Sequence, residues 1–195
     1  MRTFLLISFI AFVCSSFGAV GGWKRDSFAK NSIYIDRSSS LGEEGIRSNF
    51  NINGDDFIVY PLEIYKQLVN GFNYKTIFAF YDSSNDSVQV FTSVVYTGPF
   101  SRKTPSFQLM NVDKVQSTEV PSNDAALISK VDKAIKGYLK KNDVDDVHIV
   151  KTFINPMGKG TNVYVVKSGE KGQFVVFEDN TGDINVDAYI NIKKN

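Results

Sequence analysis

Groups able to perform covalent or acid–base chemistry are scarce in this sequence. Its only histidine, His148, lies in an apolar strand-like run, and its only cysteine, Cys14, lies in an apolar N-terminal segment. A serine hydrolase would need His148 as its base, yet the sequence contains no G-x-S-x-G turn. The nearby acids Asp143, Asp145 and Asp146 are typical of a solvated turn. We therefore expect no enzyme activity, no cofactor and no metal site.

The first 18 residues have the features of a secretory signal peptide. Arg2 supplies the positive charge, residues 4–13 are apolar, and Ser16-Phe17-Gly18 offers a cleavage site of small residues. The apolar run is about half of the roughly 20 residues that span a membrane. Cleavage would remove Cys14, leaving a secreted or lysosome-lumenal chain that must fold without disulfides.

The mature chain is balanced in charge. The sequence has 22 basic and 21 acidic residues, and the leader carries one of the basic residues, so 21 of each sign remain. A formal charge of zero disfavours nucleic acid or an anionic membrane as the main partner. We expect a monomer whose partner is another protein.

Three short motifs in loops suggest how such a partner is bound. Val20-Gly21-Gly22 follows the leader, Gln67-Leu68-Val69-Asn70-Gly71 joins two strand-like runs, and Pro99-Phe100 lies in the next connection but one. Glycine allows close backbone approach, and proline stiffens a loop. An aromatic side chain supplies contact area at a low cost in entropy. These are properties of a binding surface.

In this order, the three motifs resemble those of the cystatins, protein inhibitors of papain-like cysteine proteases. The resemblance implies a helix wrapped by a curved antiparallel sheet, with a glycine-bearing N-terminal trunk and two hairpin loops forming a wedge. The wedge would block the active-site cleft of a cathepsin-type protease sterically. The residues that the resemblance places against the protease are Val20, Gly21, Gly22, Gln67, Leu68, Val69, Asn70, Gly71, Pro99 and Phe100. The family most often has Pro-Trp where this chain has Pro99-Phe100.

The elements that position these motifs follow from the hydrophobic pattern. A helix is predicted over residues 41–50, although Gly42 and Gly45 weaken it by about 1 kcal/mol each. Period-two alternation and turn residues predict the strands that follow. Their ranges are 57–66, 72–81, 87–96 and 106–112. In the second of them, the residues that share one face are Tyr74, Thr76, Phe78 and Phe80.

The same order of elements then repeats after a linker over residues 116–123. A helix is predicted over residues 124–141, and strands over 147–154, 161–167, 173–178 and 184–192. We predict an α+β fold of two cystatin-like domains, each with one helix packed on a four- to five-stranded antiparallel sheet. Residues 19–116 would form the domain with inhibitory loops, and residues 117–195 a degenerate cystatin-like domain. A single mixed domain of ten elements is the alternative.

The second repeat lacks the binding motifs. Its first loop, residues 156–160, shares only the final glycine, and its second loop, residues 179–183, is acidic and has no Pro-aromatic pair. We expect this half to be non-inhibitory. Its aromatic residues, expected in the core, are Phe153, Tyr164, Phe174, Phe177 and Tyr189.

Two further motifs lie in turns. Asn85-Asp86-Ser87 is a candidate glycosylation site at Asn85. Asn53-Gly54-Asp55 resembles, at one asparagine, the legumain-blocking segment of some cystatins, but it is also common turn chemistry. The function expected is therefore reversible inhibition of papain-like proteases, and the alternative is a secreted, non-inhibitory cystatin-fold binding module. The position of residues 67–71 and 99–100 relative to the N-terminus distinguishes the two.

Overall fold

The chain folds into two five-stranded antiparallel sheets, each accompanied by one helix. The computed structural model describes residues 21–30, 32–54, 56–99, 104–118, 124–140, 147–154, 156–157, 162–168, 172–179 and 181–190. The predicted signal peptide, Val20, Asp55 and Phe100 lie outside the described residues, as does most of the first loop of the second repeat. We call residues 21–116 the first half and residues 117–190 the second half.

The first sheet contains five strands that lie side by side in chain order. They are β1 (Lys24–Arg25), β2 (Phe57–Val69), β3 (Gly71–Asp82), β4 (Ser87–Thr97) and β5 (Phe107–Lys114). Helix α1 (Ile33–Asn49) connects β1 to β2 after a short 3-10 turn, Phe28–Lys30.

The second sheet repeats this order. Its strands are β6 (Ser117–Thr118), β7 (Val147–Phe153), β8 (Val163–Ser168), β9 (Gly172–Glu178) and β10 (Ile184–Ile190), again adjacent in chain order. Helix α2 (Ala125–Leu139) connects β6 to β7. The predicted α+β class, with a helix and an antiparallel sheet occurring twice, is confirmed.

Helix α1 begins at Ile33, eight residues before its predicted start. Its buried face includes small residues, because the helix lies unusually close to the sheet. A Cβ atom on Gly42 would overlap the side chain of Ser93, and one on Gly45 would overlap Leu109. The two glycines that weaken the helix locally therefore allow the sheet to approach it. A face of serine and glycine has little apolar periodicity, so the first two turns were not predicted.

One face of each sheet packs against its own helix. The predicted shared face of β3 lies here, since Ile46 of α1 clusters with Phe78 and Phe80. In the second half, Val131 and Ile135 of α2 cluster with the sheet residues Tyr164, Val166, Phe174 and Val176.

The other faces of the two sheets pack against each other, which makes the layer order helix, sheet, sheet, helix. One apolar cluster contains residues of both sheets. From the first half it includes Leu62, Ile77, Ala79, Tyr81, Val88, Val90 and Val115, and from the second Phe153, Val163, Val165, Val175, Phe177, Ala188 and Ile190. Among the described residues, no strand of one sheet pairs with a strand of the other. The halves thus have separate sheets but share a core.

Polar contacts show how the sheets are oriented. Lys167 and Gln173 donate to the carboxylate of Asp86, with distances of 2.7 and 2.6 Å, at the β3–β4 turn. Towards the other end, the Lys75 ammonium group donates to the carbonyl oxygen of Pro156 at 2.7 Å. The β7–β8 connection therefore lies at the same end of the molecule as the β2–β3 turn.

The connection between the halves is shorter than the predicted linker. Val115 is buried and donates its backbone N–H to Val90, while Gln116 accepts one from Ile154 at 3.1 Å. Residues 117–118 then form β6, with Thr118 opposite Thr152. A two-residue strand is too short to show period-two alternation.

The predicted core aromatics of the second half are confirmed. Four are buried, namely Phe153, Tyr164, Phe174 and Phe177. Tyr189 is partly buried and packs against the cluster that contains Tyr164 and Phe174. Among the described residues, no helix is long and apolar enough to span a membrane.

Candidate functional site

The strand order of the first sheet places the described parts of the three motifs side by side. We call residues 21–23, 67–71 and 97–99 the loop edge. The backbone N–H of Gly21 donates to the carbonyl of Leu68 at 3.2 Å, and Phe72, just after the β2–β3 turn, pairs with Thr97. Neighbouring strands lie about 4.8 Å apart, so the loop edge spans roughly 14 Å from β1 to β4. The N-terminus, residues 67–71 and Pro99 thus occupy the same edge.

The N-terminal segment runs along β2 as an extended strand. Lys24 lies opposite Lys66, Arg25 lies opposite Tyr65, and the N–H of Asp26 donates to Ile64 at 2.8 Å. This register carries the chain directly to the β2–β3 turn.

Neither trunk glycine is required by the fold. A Cβ atom on Gly22 would meet nothing within 4 Å, and one on Gly21 would be 3.7 Å from the nearest atom, in Leu68. Neither residue has a positive φ. The absence of side chains therefore leaves space beside the loop edge that a partner can occupy.

Asp26 anchors the segment just after the trunk. Its buried carboxylate accepts from Lys30 and from Lys66, the latter at 3.1 Å, and from the backbone N–H of Ser27 at 3.0 Å. Burial raises the pKa of Asp26, but the bonds from Lys30, Lys66 and Ser27 outweigh it and hold the pKa below its usual value. Sequence reasoning missed this anchor, because its parts lie on two elements.

The β2–β3 turn is fixed by close contact with β4. Gly71 has a φ of 120°, and a Cβ atom there would overlap the carbonyl oxygen of Thr97 and lie 3.1 Å from Gly98. The hydroxyl of Tyr96 donates to the carbonyl of Asn70 at the tip of the turn. The positive φ of Gly71 was predicted, whereas the role of Tyr96 depends on the β3–β4 register and carried no sequence signal.

Leu68 is the most exposed large apolar side chain of the loop edge. It is 56% exposed, whereas Val69 is partly buried. Gln67 accepts from the amide of Asn73 at 3.3 Å, so its side chain supports the turn from within. No charged residue occurs among the described residues of the loop edge. Such a surface binds by shape, apolar contact and backbone hydrogen bonds.

The corresponding loops of the second half have other roles. Met157 packs against the shared core, and the carbonyl of Pro156 is bound by Lys75. In the other loop, the Asp179 carboxylate accepts from Thr181 N and Oγ1 and from Asp183 N, at 2.8, 2.6 and 3.0 Å. These bonds hold the pKa of Asp179 below its usual value, and the bond from the Thr181 hydroxyl has the largest effect.

The remaining candidate residues that the structure describes lie at exposed positions. His148 is exposed on β7 opposite Lys167. Among the described residues, no group of three or more acidic, histidine or cysteine side chains is arranged to hold a metal. Asn85 is exposed, with its amide donating to Asp82 at 2.8 Å. Asn53 is exposed in a turn before β2.

The second half contains a cavity of about 390 Å³ between α2 and its sheet. At its floor the Tyr164 hydroxyl donates to Glu178 at 3.0 Å, and Lys130 lies 3.9 Å from the same carboxylate. Each of these three polar groups has a partner within the protein.

Comparisons with known proteins leave the family open. No protein-family model matches this chain, and no curated protein matches it either. The functional argument therefore rests on the geometry of the loop edge.

Proposed function

We propose that this protein is a secreted, reversible inhibitor of papain-like cysteine proteases, with two cystatin-like domains of which only the first binds the protease. The observation that carries the proposal is the convergence of the trunk, the β2–β3 turn and the β4–β5 loop on one edge. The resemblance of the motifs implied this convergence, and the antiparallel strand order of the first sheet produces it.

The chemistry of the loop edge supports binding in a protease cleft. Enzyme clefts are concave and largely apolar with few polar groups, and the loop edge offers Leu68, two glycines and exposed backbone without a charge. A charged side chain would have to be desolvated there at considerable cost. The described edge provides no nucleophile, so inhibition would be steric and reversible.

The rigidity of the loop edge supports tight binding. An interface gains affinity when its loops are ordered before binding, because less conformational entropy is lost on association. Here the turn is held by Tyr96 and by the contact of Gly71 with Thr97, and the trunk is held by Asp26. These contacts are formed within the protein and would remain in the complex.

The second half, in this proposal, supports the first. It covers the outer face of the first sheet, and its Pro156–Met157 segment is already bound by the first half. It lacks an unattached glycine trunk, since β6 follows β5 after two residues. We propose one protease-binding edge per chain, acting as a monomer outside the cell or in a lysosome-like lumen.

The test is a titration of active papain with the full mature chain starting at Ala19. Residual hydrolysis should fall in proportion to added protein and recover on dilution into excess substrate. Papain whose active-site cysteine carries a small covalent blocker should still bind, because the mechanism is steric. Trypsin serves as a control that should remain active. If papain stays fully active, or cleaves the chain as a substrate, inhibition is wrong and the binding-module alternative takes its place.

A further inference from the structure

Two carboxyl groups, one buried and one partly buried, lie on the strands through which the second half packs against the first, β2 and β10. Glu63 on β2 is only 2% exposed and lies opposite Ile77, on the face directed at the second sheet. Asp187 lies on β10 at the register shift between Val186 and Ala188, where the strand bulges. β10 packs against β2, and the negative charge of Glu63 disfavours ionisation of Asp187.

Arg25 of β1 joins the two halves at this point. Its guanidinium forms an ion pair with Glu63 and lies 5.4 Å from the ring centre of Phe177, on β9 of the second half. It is the residue that ends the strand carrying the trunk. Arg25 therefore connects the second half to the strand that leads to the loop edge.

The charges at this junction do not balance when both acids are ionised. Glu63 forms an ion pair with Arg25, and its Oε2 accepts a hydrogen bond from the hydroxyl of Tyr65 at 2.6 Å. Asp187 Oδ2 is buried and has no hydrogen-bond partner among the described residues. The charged and titratable groups facing Asp187 are Glu63 and Tyr65 from β2 and Arg25 from β1. Two carboxylates against one guanidinium leave one negative charge in a desolvated space, which is costly.

We propose that a proton on Asp187, whose buried Oδ2 has no partner among the described residues, lets the second half act as a latch on the N-terminal strand. With the proton bound, the junction is neutral and β10 stays seated against β1 and β2. When the proton leaves, the extra charge is relieved by partial separation of β10 and β1. Arg25 is thus a positioning residue for the trunk. The consequence for protease binding rests on the function proposed above, whereas the latch itself does not.

The direction of the effect follows from the titration of the pair. Burial is the main cause that raises the pKa of Asp187 to about 7. The negative charge of Glu63 contributes to this rise, and the positive charge of Arg25 opposes it. Burial also raises the pKa of Glu63. An unfolded aspartate titrates near 4, so the folded state holds the extra proton between about pH 4 and 7. Stability conferred by the closed latch is therefore lost as the pH rises through that window. β10 and β1 should separate before the rest of the fold opens, because β10 is an edge strand and β1 is held to β2 by only two paired residues among those described.

Trp23 provides a natural reporter of the latch. It is the only tryptophan of the chain, it lies two residues before Arg25, and it is partly buried. Acrylamide quenching of Trp23 in the full mature chain should increase at least about twofold from pH 5 to pH 8. The Asp187→Asn variant should show little change over the same range. Asp36→Asn, which alters an exposed carboxyl on α1, should keep the wild-type response.

Variants of Arg25 separate titration from packing. Because its positive charge favours ionised Asp187, Arg25→Met should move the quenching midpoint to higher pH, whereas Arg25→Lys should leave it near the wild-type value. This comparison also holds if Asp187→Asn fails to fold. An unchanged midpoint in Arg25→Met, or a full pH response in Asp187→Asn, would overturn the latch.

Protease binding is measured separately. The dissociation constants of the wild type and of Asp187→Asn are determined at each pH, and the ratio of the first to the second is compared, because titration of the protease itself affects both constants equally. The ratio should be near one at pH 5 and at least about threefold at pH 8. A constant ratio with the expected Trp23 response would overturn the coupling to the trunk. If papain does not bind at all, the proposed function fails while Trp23 still decides the latch.

Discussion

Gly71 approaches Thr97 so closely that a Cβ atom on Gly71 would overlap the carbonyl oxygen of Thr97. The contact joins the β2–β3 turn to the end of β4, from which the second loop departs. Two of the three parts of the loop edge are therefore fixed relative to each other by one glycine.

Replacement of Gly71 by alanine should disturb the loop edge. At a φ of 120° the alanine would cost on the order of 1–3 kcal/mol in backbone strain, before the overlap with Thr97 is relieved. Inhibition of papain should weaken by at least about tenfold, with a lower thermal midpoint. Gly137→Ala is the matched control, since a Cβ atom there meets nothing within 4 Å on helix α2. It should stabilise the protein by about 0.5–1 kcal/mol and leave inhibition unchanged.

Truncation of Leu68 should weaken binding without affecting the fold. Leu68 is 56% exposed, so Leu68→Ala removes apolar area that only a partner would bury. A central contact costs on the order of 2 kcal/mol or more when truncated, which corresponds to a dissociation constant at least about tenfold higher. Ile58→Ala is the control, because Ile58 is 46% exposed on the same strand but far from the loop edge. Equal effects of the two variants on inhibition would argue against the loop edge.

The trunk and the second loop give a parallel prediction. Gly21→Glu adds bulk and charge where the structure has space, and Phe100→Ala removes the aromatic group that the resemblance assigns to the protease. Each should weaken inhibition by about tenfold or more with an unchanged thermal midpoint. If Phe100→Ala instead unfolds the protein, with inhibition per folded molecule unchanged, Phe100 belongs to the core.

The shared core predicts that the halves unfold together. Phe177→Ala, in the second half, removes a ring that is 2% exposed and should cost about 3–5 kcal/mol. Trp23 in the first half should report the same lowered midpoint as far-ultraviolet circular dichroism, in a single transition. Val150→Ala, on a side chain that is 51% exposed, should change little. Two separate transitions would show instead that the halves are independent, as the cleavable linker predicted from the sequence would allow.

Local elements were predictable because their signals are local. Period-two alternation located eight strands, and glycine, proline, aspartate, asparagine and serine marked the turns between them. The packing of the two sheets was not predicted, although β3 carried a signal for it. Ile77, Ala79 and Tyr81 make its second face as apolar as the face containing Phe78, which indicates a strand covered on both sides. The junction of Glu63 and Asp187 had no such signal, because it depends on how two separate sheets are placed.

The ion pairs of Asp26 predict an acid-sensitive trunk, in the opposite sense to Asp187. Because Lys30 and Lys66 hold the folded pKa of Asp26 below its usual value, the stabilisation is present above the unfolded pKa near 4 and is lost as the pH falls through the folded pKa. Asp26→Asn should therefore lower the thermal midpoint at pH 6, and the difference from the wild type should be smaller at pH 2.5, because the wild type loses this stabilisation as its own Asp26 takes up protons. Asp36→Asn, at an exposed site, provides the reference across the same range. A deficit of equal size at both pH values would show that Asp26 stabilises the trunk by packing rather than by charge.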